Sequence, residues 1–187
     1  MLKKKLYIVI EGCDGAGKTT MAKKIAQKLN FKYGIQCMCT NEPHTKITNT
    51  KNNIENIKQY AKDRLKWQQS IQTKAEIIIQ DRSLYSSYVN NVQTPAEKEA
   101  WHYYNKHVIM PDIVIFLNTR PKVCVEHDMK KNDAHTLEEI KLQQRKYLEI
   151  LPPSTWYMNN NTKHERGYIV DMIVDEYNKH LYIQERK

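Results

Sequence analysis

One stretch constrains this chain more than any other. Gly12-Cys13-Asp14-Gly15-Ala16-Gly17-Lys18-Thr19 satisfies G-x-x-x-x-G-K-[ST] at every fixed position. The pattern carries meaning only between a strand and a helix, and both are legible around it. Before it, residues 6–10 form a short, continuous apolar run rich in β-branched side chains, the pattern of a strand buried on both faces. After it, Met21, Ala22, Ile25, Ala26 and Leu29 recur at helical spacing, so residues 19–29 read as a helix. In that setting glycines allow backbone N–H groups to turn inward onto phosphate oxygens. The helix start aims its positive dipole end at the same anion. Lys18 can neutralise charge on the β- and γ-phosphates, and Thr19 can offer its hydroxyl to Mg²⁺. The backbone from Gly12 through Ala16, Gly17 and Thr20 is therefore expected to hold a nucleoside triphosphate. The motif alone does not choose between a kinase, a GTPase and an ATPase motor. No other stretch resembles a GTPase base-reading N-K-x-D, and 187 residues leave little room for motor machinery.

Strands and helices alternate through the rest of the chain. Residues 35–39, 75–80 (AEIIIQ), 112–117 (DIVIFL) and 156–158 read as further strands. Helical spacing returns at 54–73, 95–107, 137–151 and 168–181, with Pro152 and Pro153 stopping the third of these. The polar stretch from Asn41 to Asn53 reads as a loop. This order predicts an α/β fold: a central five-stranded parallel sheet flanked by helices in three layers, as one domain over residues 1–187.

Composition narrows the partners. The formal net charge of +9 fits nucleic acid or an anionic small substrate. The lysines are spread along the chain, and no nucleic-acid module or aromatic–basic interleaving is present, which favours the small substrate. No run approaches the ~18 apolar residues of a membrane helix. The charged start and the short apolar run after it lack a small-residue cleavage site, so they read as a first strand rather than a signal peptide. Cys13, Cys37, Cys39 and Cys124 show no zinc or disulfide framework and fit a reducing cytoplasm, and the seven histidines show no metal-ligand spacing.

Three further signals add to the fixed positions of the glycine-rich turn. Asp14 lies within it, beside a bound polyanion, and such a position calls for a role on a sugar hydroxyl or on Mg²⁺. Asp81-Arg82-Ser83 follows a strand directly, at the sheet end where open α/β folds bind ligands. There Asp81 suits a Mg²⁺ water and Arg82 a phosphate fork. Tyr60 and Arg64 are spaced i, i+4 and share one face of an expected helix, where a ring could stack on a base and a guanidinium could read its edge.

Taken in order, these segments resemble the thymidylate kinase family along most of the chain. IEGCDGAGKTT is similar to that family's first strand and phosphate loop, TNEPH to its T-R-E-P-G segment, and YAKDRLKWQQSI to its helix bearing an aromatic and then an arginine. DRSLYSS is similar to D-R-Y-x-x-S, PDIVIFLNT to the fourth strand, and the helix ending in RKYLEI to the one after the lid. The resemblance implies a P-loop kinase fold with a short lid at about residues 127–136. It implies transfer of the ATP γ-phosphate to dTMP with Mg²⁺, in a cytoplasmic homodimer with no nucleic-acid or membrane partner. Asp14 would serve the deoxyribose 3′ region. Tyr60 would stack on thymine and Arg64 would read a carbonyl. Arg82 would clamp the acceptor phosphate, and Asp81 and Thr19 would lie near Mg²⁺. Ser87 would face the pyrimidine edge and Asn90 the 2′ side of the sugar, with Glu42 and Pro43 beside them.

The chain departs from the family pattern in three places. No arginine lies between Pro43 and Tyr60, where Lys46 or Lys51 could substitute. The lid stretch His127 to His135 offers Lys130 and Lys131 instead of arginine, flanked at a distance by Arg120 and Arg145. Ser83 replaces the usual aromatic after Asp-Arg. Two other readings compete. DRSLYS and NEP also resemble deoxynucleoside kinases, with Glu42 as the base for a 5′-hydroxyl. A non-catalytic, nucleic-acid-binding P-loop protein is the third.

Overall fold

The computed structural model describes residues 5–129, 135–160 and 168–185, with side chains to residue 182. The apolar run ahead of the glycine-rich turn becomes β1 (Leu6–Glu11), and all six of its residues are buried. Burial of each aliphatic side chain there contributes about 1.5–3 kcal/mol, so β1 anchors the fold. It lies in the middle of a five-stranded sheet of order β2-β3-β1-β4-β5, with β2 (Cys37–Asn41), β3 (Ile77–Asp81), β4 (Ile113–Asn118) and β5 (Trp156–Asn159). Every neighbouring pair is parallel. Ile8 pairs with Ile79 on one side and Ile113 on the other, which explains why three strands read as unbroken apolar runs.

Helices flank the sheet. α1 (Lys18–Tyr33) carries the chain away from the glycine-rich turn and stops at Gly34, whose left-handed backbone caps it. α2 (Asn53–Ser70) begins at Asn52, whose side chain accepts from the N–H groups of Ile54 and Glu55. α4 (Pro95–Asn105) and α6 (Leu137–Ile150) each open with a capping box, Thr94 with Glu97 and Thr136 with Glu139. α7 (Ile169–Glu185) packs against α1. The family fold anticipated from the sequence, an α/β parallel sheet flanked by helices, is the one observed.

Two of the local differences from the sequence expectation have a visible physical cause. β2 begins two residues later than expected, because Ile35 closes the α1 turn by donating its N–H to Leu29 O and is buried there. Two helices, α3 (Leu84–Asn91) and α5 (Pro121–Met129), were not anticipated. α3 is rich in Ser and Asn and would read as a turn, yet nearly all of it is buried. Ser83, which caps it, and Ser86 donate to buried Glu11, and Trp101 Nε1 donates to Leu84 O at 3.0 Å. Tertiary packing, rather than propensity, makes this helix.

The register brings the chemistry to one edge. Asp81 at the end of β3 pairs with Asn41 of β2 and with Ile10 of β1. The turns after β1, β2 and β3 therefore leave the sheet side by side at its carboxyl end, where ligands of such sheets bind.

Candidate active site

The turn between β1 and α1 surrounds a cavity of about 100 Å³, lined by Gly15, Gly17, Lys18, Thr19 and Thr20. Lys18 is buried, and its Nζ donates to the carbonyls of Gly12 (2.7 Å) and Cys13 (2.8 Å). Burial, and then the Arg82 guanidinium, bring its pKa down to about 8. Gly15 has φ +75°, and a Cβ added there would lie 2.1 Å from the carbonyl oxygen of Cys124 on α5. No other residue fits that position, so α5 defines the outer wall of the loop. Ala16 is buried and its carbonyl accepts from Thr119 Oγ1 and Asn160 Nδ2, which fixes the loop against β4 and β5.

Thr19 donates its hydroxyl to Asp81, joining the start of α1 to the end of β3. The other carboxylate oxygen of Asp81, Oδ1, is buried without a partner among the described residues. An orphaned acceptor of this kind costs about 1–3 kcal/mol unless a ligand satisfies it. A hydroxyl beside one carboxylate suits Mg²⁺, which keeps several waters and takes its remaining ligands from nucleotide phosphates.

Arg82 follows with φ +69°, a left-handed backbone that is rare outside glycine and that marks strain at functional sites. Its guanidinium pairs with Asp14. Burial pushes the Asp14 carboxyl up. Arg82 and Lys18 beside it, with hydrogen bonds from Arg82 and Gln143, outweigh burial and hold it well below the carboxylate range. The next residue supports Arg82 from behind. Ser83 caps α3 and donates to Glu11 Oε1 at 2.6 Å. Fully buried Glu11 also accepts from Ser86 Oγ (2.6 Å) and Tyr147 OH (3.0 Å). The serine that departs from the family pattern therefore supplies one of the three hydroxyl donors to this buried carboxylate.

A larger cavity of about 440 Å³ opens on the far side of Arg82. Its walls hold Asp14, Glu42, Pro43, Tyr60, Ser87 and Asn90. Ser87 Oγ is buried there without a partner among the described residues. The amides of Asn49, Asn53, Asn56 and Asn91, with Ser86 and His135, complete the lining. Sequence reasoning passed over all of these, because scattered Asn, Ser and His side chains carry no spacing that separates lining residues from solvated ones. Glu11 was missed for another reason, since a buried acid at a strand end reads as part of the strand.

Arg64 does not face this cavity. Although it shares a helix face with Tyr60 in projection, it is fully buried. Its guanidinium forks onto Glu42, with Nε 2.9 Å from Oε2, and also donates to Asn105. Burial raises the Glu42 pKa, opposed by Arg64. A desolvated cation without this carboxylate would cost several kcal/mol, about 3–5 by analogy with broken buried pairs, so Glu42 holds Arg64 inward. Glu42 is spoken for in the same way, by Arg64 and by Gln80 Nε2 at 3.2 Å. The lysines and arginines weighed as substitutes fall elsewhere. Lys46, Lys51, Arg120 and Arg145 are exposed and line neither cavity. Lys130 and Lys131 lie outside the described residues, as do 130–134 of the expected lid.

Comparison with known proteins agrees with this architecture. The thymidylate kinase family model matches residues 10–173. The probable thymidylate kinase of Thermoplasma volcanium is 30% identical over 164 residues, covering 81% of this chain and 86% of that protein. The corresponding protein of Methanocaldococcus jannaschii is 26% identical over 165 residues, covering 84% and 88%. Among solved structures, a thymidylate kinase from Candida albicans superposes with a TM-score of 0.70, covering 95% of this chain and 94% of that one. At 17% identity that likeness speaks for the fold alone.

Proposed function

The chain belongs to the thymidylate kinase family of nucleoside monophosphate kinases, and from that premise we propose that it transfers the ATP γ-phosphate to dTMP, giving dTDP, with Mg²⁺. The observation that carries this reading is the shared wall of the two cavities. Asp14 and Arg82 line both the phosphate-loop cavity and the larger one. A group leaving a nucleotide in the first reaches an acceptor in the second across those two side chains.

Phosphoryl transfer asks a protein for positioning and charge neutralisation more than for covalent chemistry. Lys18 and the backbone from Gly12 to Thr20 hold the donor phosphates. Arg82, preset in its left-handed backbone, forks onto the acceptor phosphate and exchanges its bond to Asp14 for one to phosphate. Asp14, released, meets the 3′ side of the sugar. Tyr60 stacks on the base, Pro43 bounds it, Ser87 meets its edge and Asn90 lies on the 2′ side. Glu42 and Arg64 brace the wall behind. Mg²⁺, when bound by Thr19 and Asp81, supplies charge neutralisation of the β- and γ-phosphate oxygens. The family resemblance assigns the lid's positive charge to Lys130 and Lys131, which lie outside the described residues, within one kinase domain. The homodimer and the cytoplasmic setting carry over from the family resemblance, and sedimentation analysis tests the dimer.

Arg82 also separates this reading from a deoxynucleoside kinase, because a phosphate clamp on the acceptor side suits a substrate that already carries phosphate. Glu42, engaged by Arg64 and Gln80, is a brace rather than a free base. The test is ATP consumption with Mg²⁺ and dTMP, dUMP, thymidine or deoxycytidine in parallel. Turnover with dTMP and none with thymidine is expected. Turnover with a nucleoside and none with dTMP would overturn the assignment.

A further inference from the structure

Two side chains with no role in the family resemblance stand where the two cavities meet. Asp128, in the last turn of α5, is buried and lines the phosphate-loop cavity. His135, just ahead of α6, lines the larger cavity. His135 Nδ1 lies 2.6 Å from Asp128 Oδ2, and the His135 backbone N–H donates to the same oxygen at 3.2 Å. An ionised carboxylate only accepts, so Nδ1 carries the proton, and the ring is held through both its side chain and its backbone. That contact turns Nε2 the other way, toward Asp14 Oδ2 at 3.8 Å.

The groups around Asp14 identify what Nε2 faces. Arg82 donates to Asp14 Oδ1, Gln143 Nε2 donates to Oδ2 at 2.9 Å, and Lys18 Nζ lies 3.9 Å from Oδ1. Two anionic oxygens thus sit among donors from the phosphate loop, the β3–α3 turn and α6, with the imidazole on the α5–α6 side. Phosphate oxygens ask the same of their surroundings as carboxylate oxygens do. Arg82 at Oδ1 and His135 Nε2 toward Oδ2 thus approach the same carboxylate, and both side chains line the larger cavity.

We propose that His135, held by Asp128, is a binding residue for the acceptor's phosphate, on the side where this chain has no arginine between His127 and His135. Nε2 donates to a phosphate oxygen as imidazolium, or accepts the proton of a phosphate monoanion as neutral imidazole. Both give one hydrogen bond to the acceptor phosphate and none to a nucleoside. Asp128 acts through His135 and is a positioning residue. This inference rests on the monophosphate-acceptor reading above.

The test is calorimetric titration of dTMP and of thymidine into wild type, His135→Ala, His135→Gln and Asp128→Asn, alongside dTMP turnover. His135→Ala is expected to weaken dTMP about tenfold, the loss of one charge-assisted hydrogen bond, and to leave thymidine within about twofold. His135→Gln should recover most of the loss, since its amide still donates toward the same oxygen. Asp128→Asn should give a smaller loss, again confined to dTMP. Equal losses for dTMP and thymidine, or no loss for dTMP, overturn the assignment. Wild-type turnover of dTMP with His135→Ala unchanged removes the His135 role alone. Wild-type turnover of thymidine in place of dTMP removes the acceptor reading and the His135 role with it.

Discussion

The two cavities are built in opposite ways. The phosphate-loop cavity takes most of its lining from one unbroken run, Asp14 to Thr20, and its polar groups are already engaged with one another. The larger cavity is assembled from turns and helices as far apart as Asp14 and His135, and its lining is largely neutral amides and hydroxyls. A triphosphate presents the same oxygens whatever base it carries, so backbone N–H groups and one lysine suffice to hold it. A particular base and sugar have shape and edges that only side chains brought together by the fold can match. The first cavity therefore tolerates little change, and the second can be retuned residue by residue.

Substitutions should expose that difference, most strongly in the phosphate loop. Lys18→Ala is expected to lower kcat about 10³-fold, the scale of losing one dedicated charge contact to the transferring group. Circular dichroism should show the fold retained. Near-normal turnover would break the contrast at its firmest point. Glu42→Gln comes next. It leaves the fully buried Arg64 facing a neutral amide and should cost about 3 kcal/mol, which lowers Tm by several degrees. A catalytic base would instead lose turnover with Tm unchanged. Arg82→Ala should raise the KM for dTMP about 10²-fold and the KM for ATP only a few-fold. Equal rises would mean that the two cavities act as one site.

How much of this was legible in the sequence follows the same division. The phosphate loop is local, so residue spacing alone gave its position, its strand and its helix. β1, β3 and β4 were legible because burial on both faces forces unbroken apolar runs. α3 was hidden, since Ser86 is polar for the sake of buried Glu11, a partner that only the folded chain supplies, and a buried Ser87 reads as a solvated one. α5 was hidden as well, because its contact with Gly15 is made by the backbone of Cys124 and leaves its mark on the glycine instead. The inward turn of Arg64 could not be read from the helix projection, which gives a face but not the carboxylate waiting behind it. Nor could the Asp128–His135 pair, which is seven residues apart and joined across the end of a helix.

The smallest effect is the one that divides the two cavities most cleanly. Ser87 is buried in α3, and its hydroxyl has no hydrogen-bond partner among the described residues. Such a group costs about 1–3 kcal/mol, so replacing it should relieve strain on the fold rather than add to it. Ser87→Ala is accordingly expected to leave Tm unchanged or raise it by about 2–4 °C per kcal/mol relieved, as measured by calorimetry. The same change removes a hydrogen bond that a pyrimidine edge would complete, so dTMP affinity should fall about three- to tenfold. ATP affinity should not move, because Ser87 does not line the phosphate-loop cavity. The opposite signs matter more than the sizes, since a residue that serves only packing loses stability when it is cut back. A lower Tm with unchanged dTMP affinity would assign Ser87 to the interior of α3 and leave the base edge to the asparagines.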